Sequence, residues 1–137
     1  MVKKHFKICI LGSSYVGKTS IIKKFVKNNF SVKSMKNKNK EMIKIKFGTD
    51  GWRAIIAEEY ITDNVARVSI AVADWLNENK DSPSVVIGHD CRFSGELFAE
   101  TAAKVLALKG VLVKIAKGFV STPMVSLGVV NEKASLG

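Results

Sequence analysis

Near the start of the chain, the residues best suited to chemistry lie in a glycine-rich loop at residues 12–19. This loop reads Gly-Ser-Ser-Tyr-Val-Gly-Lys-Thr and satisfies the phosphate-binding pattern G-x-x-x-x-G-K-[ST]. Glycines let successive backbone N–H groups surround phosphate oxygens, and the helix that follows adds its dipole. The pattern predicts nucleotide contacts, with the Thr19 hydroxyl as a ligand of Mg²⁺, at these residues: Gly12, Gly17, Lys18, Thr19 and Ser20.

A second group of candidate residues forms three short clusters later in the chain. The first is glycine-rich and covers residues 47–53, the second follows an apolar run at residues 88–92, and the third is Ser-Thr-Pro at residues 121–123. The second cluster closes a predicted parallel strand at its carboxyl end, where open α/β sheets bind their ligands. Read without the other clusters, residues 48–51 are a simple turn, and Asp90 with Arg92 is a local ion pair at a strand end.

The hydrophobic pattern predicts the elements that position these clusters. Residues 63–79 and 94–109 have helical spacing, with centres near Ala71 and Ala103, and residues 85–89 and 111–115 are typical of buried parallel strands. This alternation predicts an α/β fold, in which a partial parallel sheet has helices on both faces and lies between these two helices. Thr62 or Asp63 is expected to cap the first helix, and Gly110 to end the second.

The chain divides at a tract of lysine, asparagine and serine. A strand at residues 8–11 and a helix at residues 18–29 flank the glycine-rich loop, so we predict a strand-loop-helix segment over residues 1–31. Residues 32–45 are predicted to be a loosely held linker, because they offer too little apolar surface to offset their ordering entropy. Residues 46–137 then form the main α/β domain.

Charge supports the same division. Residues 1–46 hold thirteen of the 22 basic residues and a single acid, Glu41, although the whole chain carries a formal charge of +10. This asymmetry argues against a specific nucleic-acid module and leaves the basic segment available for anionic surfaces. No apolar run approaches the roughly 20 residues that a membrane span needs. We therefore expect a cytoplasmic protein.

The three clusters together resemble the first domain of the phosphoglucomutase and phosphomannomutase (α-D-phosphohexomutase) family over about residues 45–137. The shared sequence motifs are Phe47-Gly48-Thr49-Asp50-Gly51-Trp52-Arg53, Gly88-x-Asp90-x-Arg92 and Ser121-Thr122-Pro123-Met124. The resemblance implies phosphoryl transfer on a hexose phosphate, with Mg²⁺ and a phosphoserine. It also implies that Arg53 and Arg92 hold phosphate oxygens, that Asp90 anchors such an arginine, and that Thr49 supports the site.

Residues 5–31 are similar to the opening of small GTPases of the Rab and Ras type. The similar segments are Lys7-Ile8-Cys9-Ile10-Leu11-Gly12, Val16-Gly17-Lys18-Thr19-Ser20 and Asn29-Phe30-Ser31. This resemblance implies GTP as a ligand. No D-x-x-G or N-K-x-D motif of that family follows in a plausible place, so we expect weak nucleotide binding and no regulated hydrolysis.

The sequence differs from the phosphohexomutase family at the catalytic motifs. A phosphoserine loop of the type T-A-S-H-N-P and a D-G-D-x-D-R metal loop do not occur in the 137 residues. Three hypotheses follow. The chain is a phosphohexomutase fragment that is inactive alone, a small GTP-binding protein fragment, or a protein whose basic segment contacts anionic surfaces. The first is preferred, because three ordered motifs support it.

Overall fold

The computed structural model describes residues 5–8, 43–49 and 51–137. Its elements in chain order are strands β1 (His5–Ile8), β2 (Phe47–Gly48) and β3 (Gly51–Ile55), helix α1 (Thr62–Asn79), strand β4 (Ser84–His89), helix α2 (Gly95–Leu108), strand β5 (Leu112–Phe119) and helix α3 (Thr122–Asn131). In this part of the chain, no helix is both long and apolar enough to cross a bilayer.

The first three strands form a small antiparallel sheet in the order β1-β3-β2. Phe47 pairs with Trp52 and Gly48 with Gly51, so β2 and β3 are antiparallel neighbours. Gly51 has a φ of 120°, a backbone conformation that favours glycine. The glycine-rich cluster at residues 47–53 is therefore a hairpin, which agrees with its interpretation as a turn.

A parallel pair, β4 and β5, forms the second sheet, with Val85 opposite Val113 and Ile87 opposite Ile115. Successive side chains on a strand point to opposite faces. Val85 packs into the core with α1 and α2, whereas the Cγ1 of Val86 lies 3.3 Å from a Cβ built at Gly128 of α3. The sheet therefore has helices on both faces, as predicted.

Aromatic rings in the core connect the antiparallel sheet to helix α2. Trp52 of β3 is 3% exposed and stacks on Tyr60, with ring centroids 4.5 Å apart. Tyr60 in turn meets the edge of Phe98 of α2 at 4.7 Å. The apolar stripe of α1 completes this core with the five residues that the helical spacing predicted: Val65, Val68, Val72, Trp75 and Leu76.

The expected position of the sheet between the first two helices is wrong. Helices α1 and α2 pack directly against each other, and α3 covers the other face of the sheet. The buried residues of α1 belong to one core cluster with Phe98 of α2 and Trp52 of β3. Helix α3 was not predicted, because its apolar residues show no helical spacing and only Val129 is buried.

The observed bounds of these helices and strands agree with the predicted bounds to within a few residues, with two differences. Thr62 and Asp63 both lie inside α1, which follows Ile61 without a side-chain cap. Strand β5 continues to Phe119, four residues beyond its predicted end. Gly110 has a φ of 80° just past α2, as expected for a helix end.

The front of the chain differs from its prediction where it is described. Of the strand predicted at residues 8–11, only Ile8 is described, and it is the last residue of β1, which covers His5–Ile8 and pairs antiparallel with β3. Ile45, placed at the end of the linker, is buried in the core, and the Ile43 carbonyl accepts a hydrogen bond from Arg67. Residues 32–42 of the predicted linker, the glycine-rich loop at residues 12–19 and the helix predicted at residues 18–29 lie outside the described residues.

Candidate functional site

The candidate site is built on the loop that connects the carboxyl end of β4 to α2. Helix α2 begins at Gly95, directly after this loop. A Cβ built at Gly95 would lie 3.0 Å from the Asp90 carbonyl oxygen and 3.3 Å from His89 Nδ1. Glycine thus allows the positive end of α2 to approach the loop closely, which favours anions at this edge of the sheet.

Two guanidinium nitrogens of Arg92 contact one carboxylate oxygen of Asp90 within the loop. Arg92 Nε donates to Asp90 Oδ2 at 2.7 Å, Nη2 lies 2.6 Å from the same oxygen, and the Arg92 backbone N–H donates to Oδ1 at 3.0 Å. The Arg92 side chain is 48% exposed. Asp90 therefore orients the guanidinium of Arg92.

The same contact determines how Asp90 titrates. The hydrogen bond from the Arg92 side chain lowers the pKa of the Asp90 carboxyl below its ordinary value, although partial burial acts in the opposite direction. Because the folded-state pKa is lowered, the stabilising contribution is present at neutral pH and is lost as the pH falls through that pKa. Arg92 is accordingly oriented throughout the neutral range.

His89, for which the sequence predicted no role, lies at the start of the same loop, directly before Asp90. Its Nδ1 lies 3.0 Å from the Asp90 carbonyl oxygen, and its ring meets Phe119 of β5 edge to face at 5.6 Å. The Phe119 contact and the close approach of Gly95 are long-range features. The flanking glycines at 88 and 95 are the sequence signal that could have drawn attention to His89.

The Ser-Thr-Pro cluster lies beside the loop, across the carboxyl ends of the two parallel strands. Val120 donates its N–H to the His89 carbonyl at 2.9 Å, and α3 begins at Thr122 with proline in its first turn. Ser121 and Thr122 are exposed and line the same cavity as Asp90 and Arg92. Two helix N-termini and their polar loops are thus adjacent to each other.

This cavity has a volume of about 600 Å³. The polar part of its lining, which we call the mouth, consists of His89, Asp90, Arg92, Ser121 and Thr122. The rest of the lining is mostly apolar and comes largely from β4 and the helices. A guanidinium, two hydroxyl groups and helix N-termini at one mouth suit an anionic oxygen-rich ligand such as a phosphate ester.

The structure does not bring all predicted site residues together. Arg53 is exposed on β3 and Thr49 is exposed in the β2–β3 turn, and neither lines the cavity. The predicted nucleotide contacts at residues 12, 17, 18, 19 and 20 lie outside the described part of the chain. Among residues 43–49 and 51–137, no three His, Cys, Asp or Glu side chains gather as they would to hold a metal ion.

Comparison with known proteins relates the sequence to a family. Residues 44–137 match the family described as phosphoglucomutase/phosphomannomutase, alpha/beta/alpha domain I. A phosphoglucomutase of Staphylococcus saprophyticus is 34% identical over 96 residues, which is 68% of this chain and 17% of that protein. No solved structure shows a significant match.

Two further relatives are phosphoglucosamine mutases. The protein from Rhodococcus erythropolis is 34% identical over 93 residues, 66% of this chain and 21% of its own length. The protein from Polaromonas naphthalenivorans is 37% identical over 92 residues, 66% of this chain and 20% of its own length. The chain therefore spans about a fifth of the length of these curated relatives.

Proposed function

Because the chain belongs to the phosphoglucomutase/phosphomannomutase family through its domain I, we propose that it is a domain-I fragment of a phosphohexomutase. The intact enzyme would be an isomerase of carbohydrate metabolism in the cytoplasm. It would transfer a phosphoryl group between the 1- and 6-positions of a hexose phosphate. The named relatives act on more than one hexose phosphate, so the proposal is for this substrate class.

The observation that carries the proposal is the polar mouth at the carboxyl ends of β4 and β5. Arg92 is oriented by Asp90 through paired contacts of 2.7 and 2.6 Å, and it shares the mouth with the hydroxyl groups of Ser121 and Thr122. Phosphoryl transfer depends on donors that position the phosphate oxygens and stabilise their charge. Arg92 is the group of this domain best placed to do so.

Arg53 and Thr49 have a different place in the proposal. Both are exposed on the β2–β3 hairpin, away from the cavity, so they would meet a phosphate only where another part of the intact enzyme closes over this hairpin. Mg²⁺, which the family resemblance implies, would neutralise phosphate charge in the intact enzyme. The described residues supply no three-ligand cluster for it, so we assign no step to a metal held here.

A chimeric enzyme tests the proposal. Residues 44–137 replace the matching segment of the Staphylococcus saprophyticus phosphoglucomutase, and a coupled assay follows glucose 6-phosphate formed from glucose 1-phosphate. We expect the chimera to be active, since this segment supplies the same domain. We expect the 137-residue chain alone to give only background, because it has neither the phosphoserine nor the metal motif of the family.

Two results would contradict this proposal. A chimera that folds, as judged by its thermal melt, but shows no activity would separate this segment from the mutase function. Activity of the purified 137-residue chain above that of the same assay without protein would contradict the fragment interpretation. The parental enzyme without its own matching segment serves as the negative control.

The GTP-binding alternative rests on the loop at residues 12–19, which lies outside the family match. It remains a prediction from the pattern. If the loop binds nucleotide, Mg·GTP should bind more weakly than about micromolar, since no base-reading motif is present, and Lys18→Ala should abolish binding because Lys18 would contact the outer phosphates. Titration calorimetry measures both, with Lys104→Ala as control. Submicromolar, guanine-selective binding would favour the GTPase hypothesis.

A further inference from the structure

The His89 ring is held in place by contacts on two sides. Its Nδ1 lies 3.0 Å from the Asp90 carbonyl oxygen, and the rings of His89 and Phe119 pack edge to face with centroids 5.6 Å apart. His89 is half-buried and lines the cavity as part of its mouth. The fold therefore positions this imidazole beside the groups that suit a phosphate ester.

The contact with Asp90 determines which ring nitrogen of His89 carries the proton. A backbone carbonyl oxygen can only accept a hydrogen bond, so Nδ1 is the donor. In a neutral imidazole the other nitrogen is then an acceptor. In the described part of the chain, Nε2 of His89 has no hydrogen-bond partner. The neutral ring therefore offers an unused acceptor.

The other polar side chains of the mouth have a different hydrogen-bonding capacity. Both carboxylate oxygens of Asp90 already accept hydrogen bonds from Arg92. The Arg92 guanidinium can only donate, and the hydroxyl groups of Ser121 and Thr122 can donate as well as accept. A doubly ionised phosphate has only acceptor oxygens, which suit these donors but not Nε2 of His89. Nε2 instead suits a ligand group that donates, such as a hydroxyl.

We propose that His89 is a ligand-binding residue, whose Nε2 accepts a hydrogen bond from a hydroxyl group of the phosphate ester that Arg92 holds. This inference deepens the proposed function and rests on it for the place of the phosphate. Arg92 binds the phosphate of any ester, whereas His89 distinguishes esters that carry a hydroxyl group from those that do not. The two residues together select a phosphate ester of a polyhydroxy compound, which is the chemistry of a sugar phosphate.

The test compares two phosphate esters on the full 137-residue protein, by NMR chemical-shift titration at about pH 8, above the usual range of histidine protonation. Glucose 6-phosphate carries hydroxyl groups, and methyl phosphate carries none. We expect glucose 6-phosphate to bind more tightly. His89→Asn should weaken its binding about tenfold, the change expected for about one lost hydrogen bond, and should leave the binding of methyl phosphate within about twofold.

Two amide side chains at position 89 separate the roles of the ring nitrogens. Asparagine can place its amide nitrogen where Nδ1 lies and keep the bond to the Asp90 carbonyl, but it has no atom near Nε2. Glutamine is one bond longer and can place its acceptor oxygen near Nε2, so His89→Gln should retain part of the preference for glucose 6-phosphate. Arg92→Ala should weaken both esters alike. The same titrations on Lys18→Ala remove any contribution of the loop at residues 12–19.

Three results would overturn the proposal about His89. They are equal affinity of the unchanged chain for the two esters, binding of neither ester, and an equal loss of both esters in His89→Asn that a thermal melt shows to be folded. The last result would mean that His89 supports the loop and does not contact a hydroxyl. The activity of the chimera decides the mutase function separately, because these titrations require only the binding of a phosphate ester.

Discussion

Arg92→Ala in the chimeric phosphoglucomutase should lower kcat/KM by about a hundredfold to a thousandfold, the usual cost of removing one donor directed at developing charge. Asp90 holds the Arg92 guanidinium at the mouth of the cavity, through contacts of 2.7 and 2.6 Å. Alanine removes all of these donors and leaves the backbone of the loop in place. Steady-state kinetics in both directions measure the effect.

Three further variants identify the origin of this loss. Arg92→Lys should recover only part of the activity, because an ammonium group lacks the planar pair of donors. Asp90→Asn should have an intermediate effect, since it weakens the orientation of Arg92 without removing it. Lys109→Ala controls for charge, because Lys109 pairs with Asp74 at 3.1 Å and does not line the cavity. An Arg92→Ala chimera within about twofold of the unchanged chimera would exclude Arg92 from the phosphate site.

The largest effect on stability is expected from Trp52→Ala, which should lower the free energy of unfolding by about 3–5 kcal/mol. The Trp52 side chain is 3% exposed and stacks on Tyr60, which contacts Phe98 of α2. Alanine removes the ring that joins the antiparallel hairpin to the helices. A loss of this size is a large part of the total stability of a small domain. Urea unfolding followed by circular dichroism measures it.

Leu108→Ala is the matched control for this prediction, because Leu108 is 87% exposed at the end of α2. Its unfolding free energy should differ from that of the unchanged chain by less than about 0.5 kcal/mol. If Trp52→Ala were as stable as Leu108→Ala, the aromatic contact between hairpin and helices would not contribute to the core as described. Equal slopes of the urea transitions would establish that the variants can be compared.

Local signals in the sequence were sufficient for the α/β class and for most of its elements. The spacing of Val65, Val68 and Val72 identified α1, and the apolar run ending at His89 identified β4, because both patterns depend only on neighbours along the chain. The three short clusters at residues 47–53, 88–92 and 121–123, through their order and their residue types, indicated the family that the comparison then showed. Side-chain periodicity and motif spacing are properties that one sequence displays directly.

Contacts between distant residues were decided only by the tertiary structure. The sequence did not show that α1 lies beside α2, that α3 covers the opposite face, or that Arg53 lies away from the cavity lined by Arg92. The same is true of the cavity, which is lined by Phe98 and Val125 although these residues are 27 positions apart in the chain. Periodicity states which face of an element is apolar, but the partner that covers that face depends on packing in three dimensions.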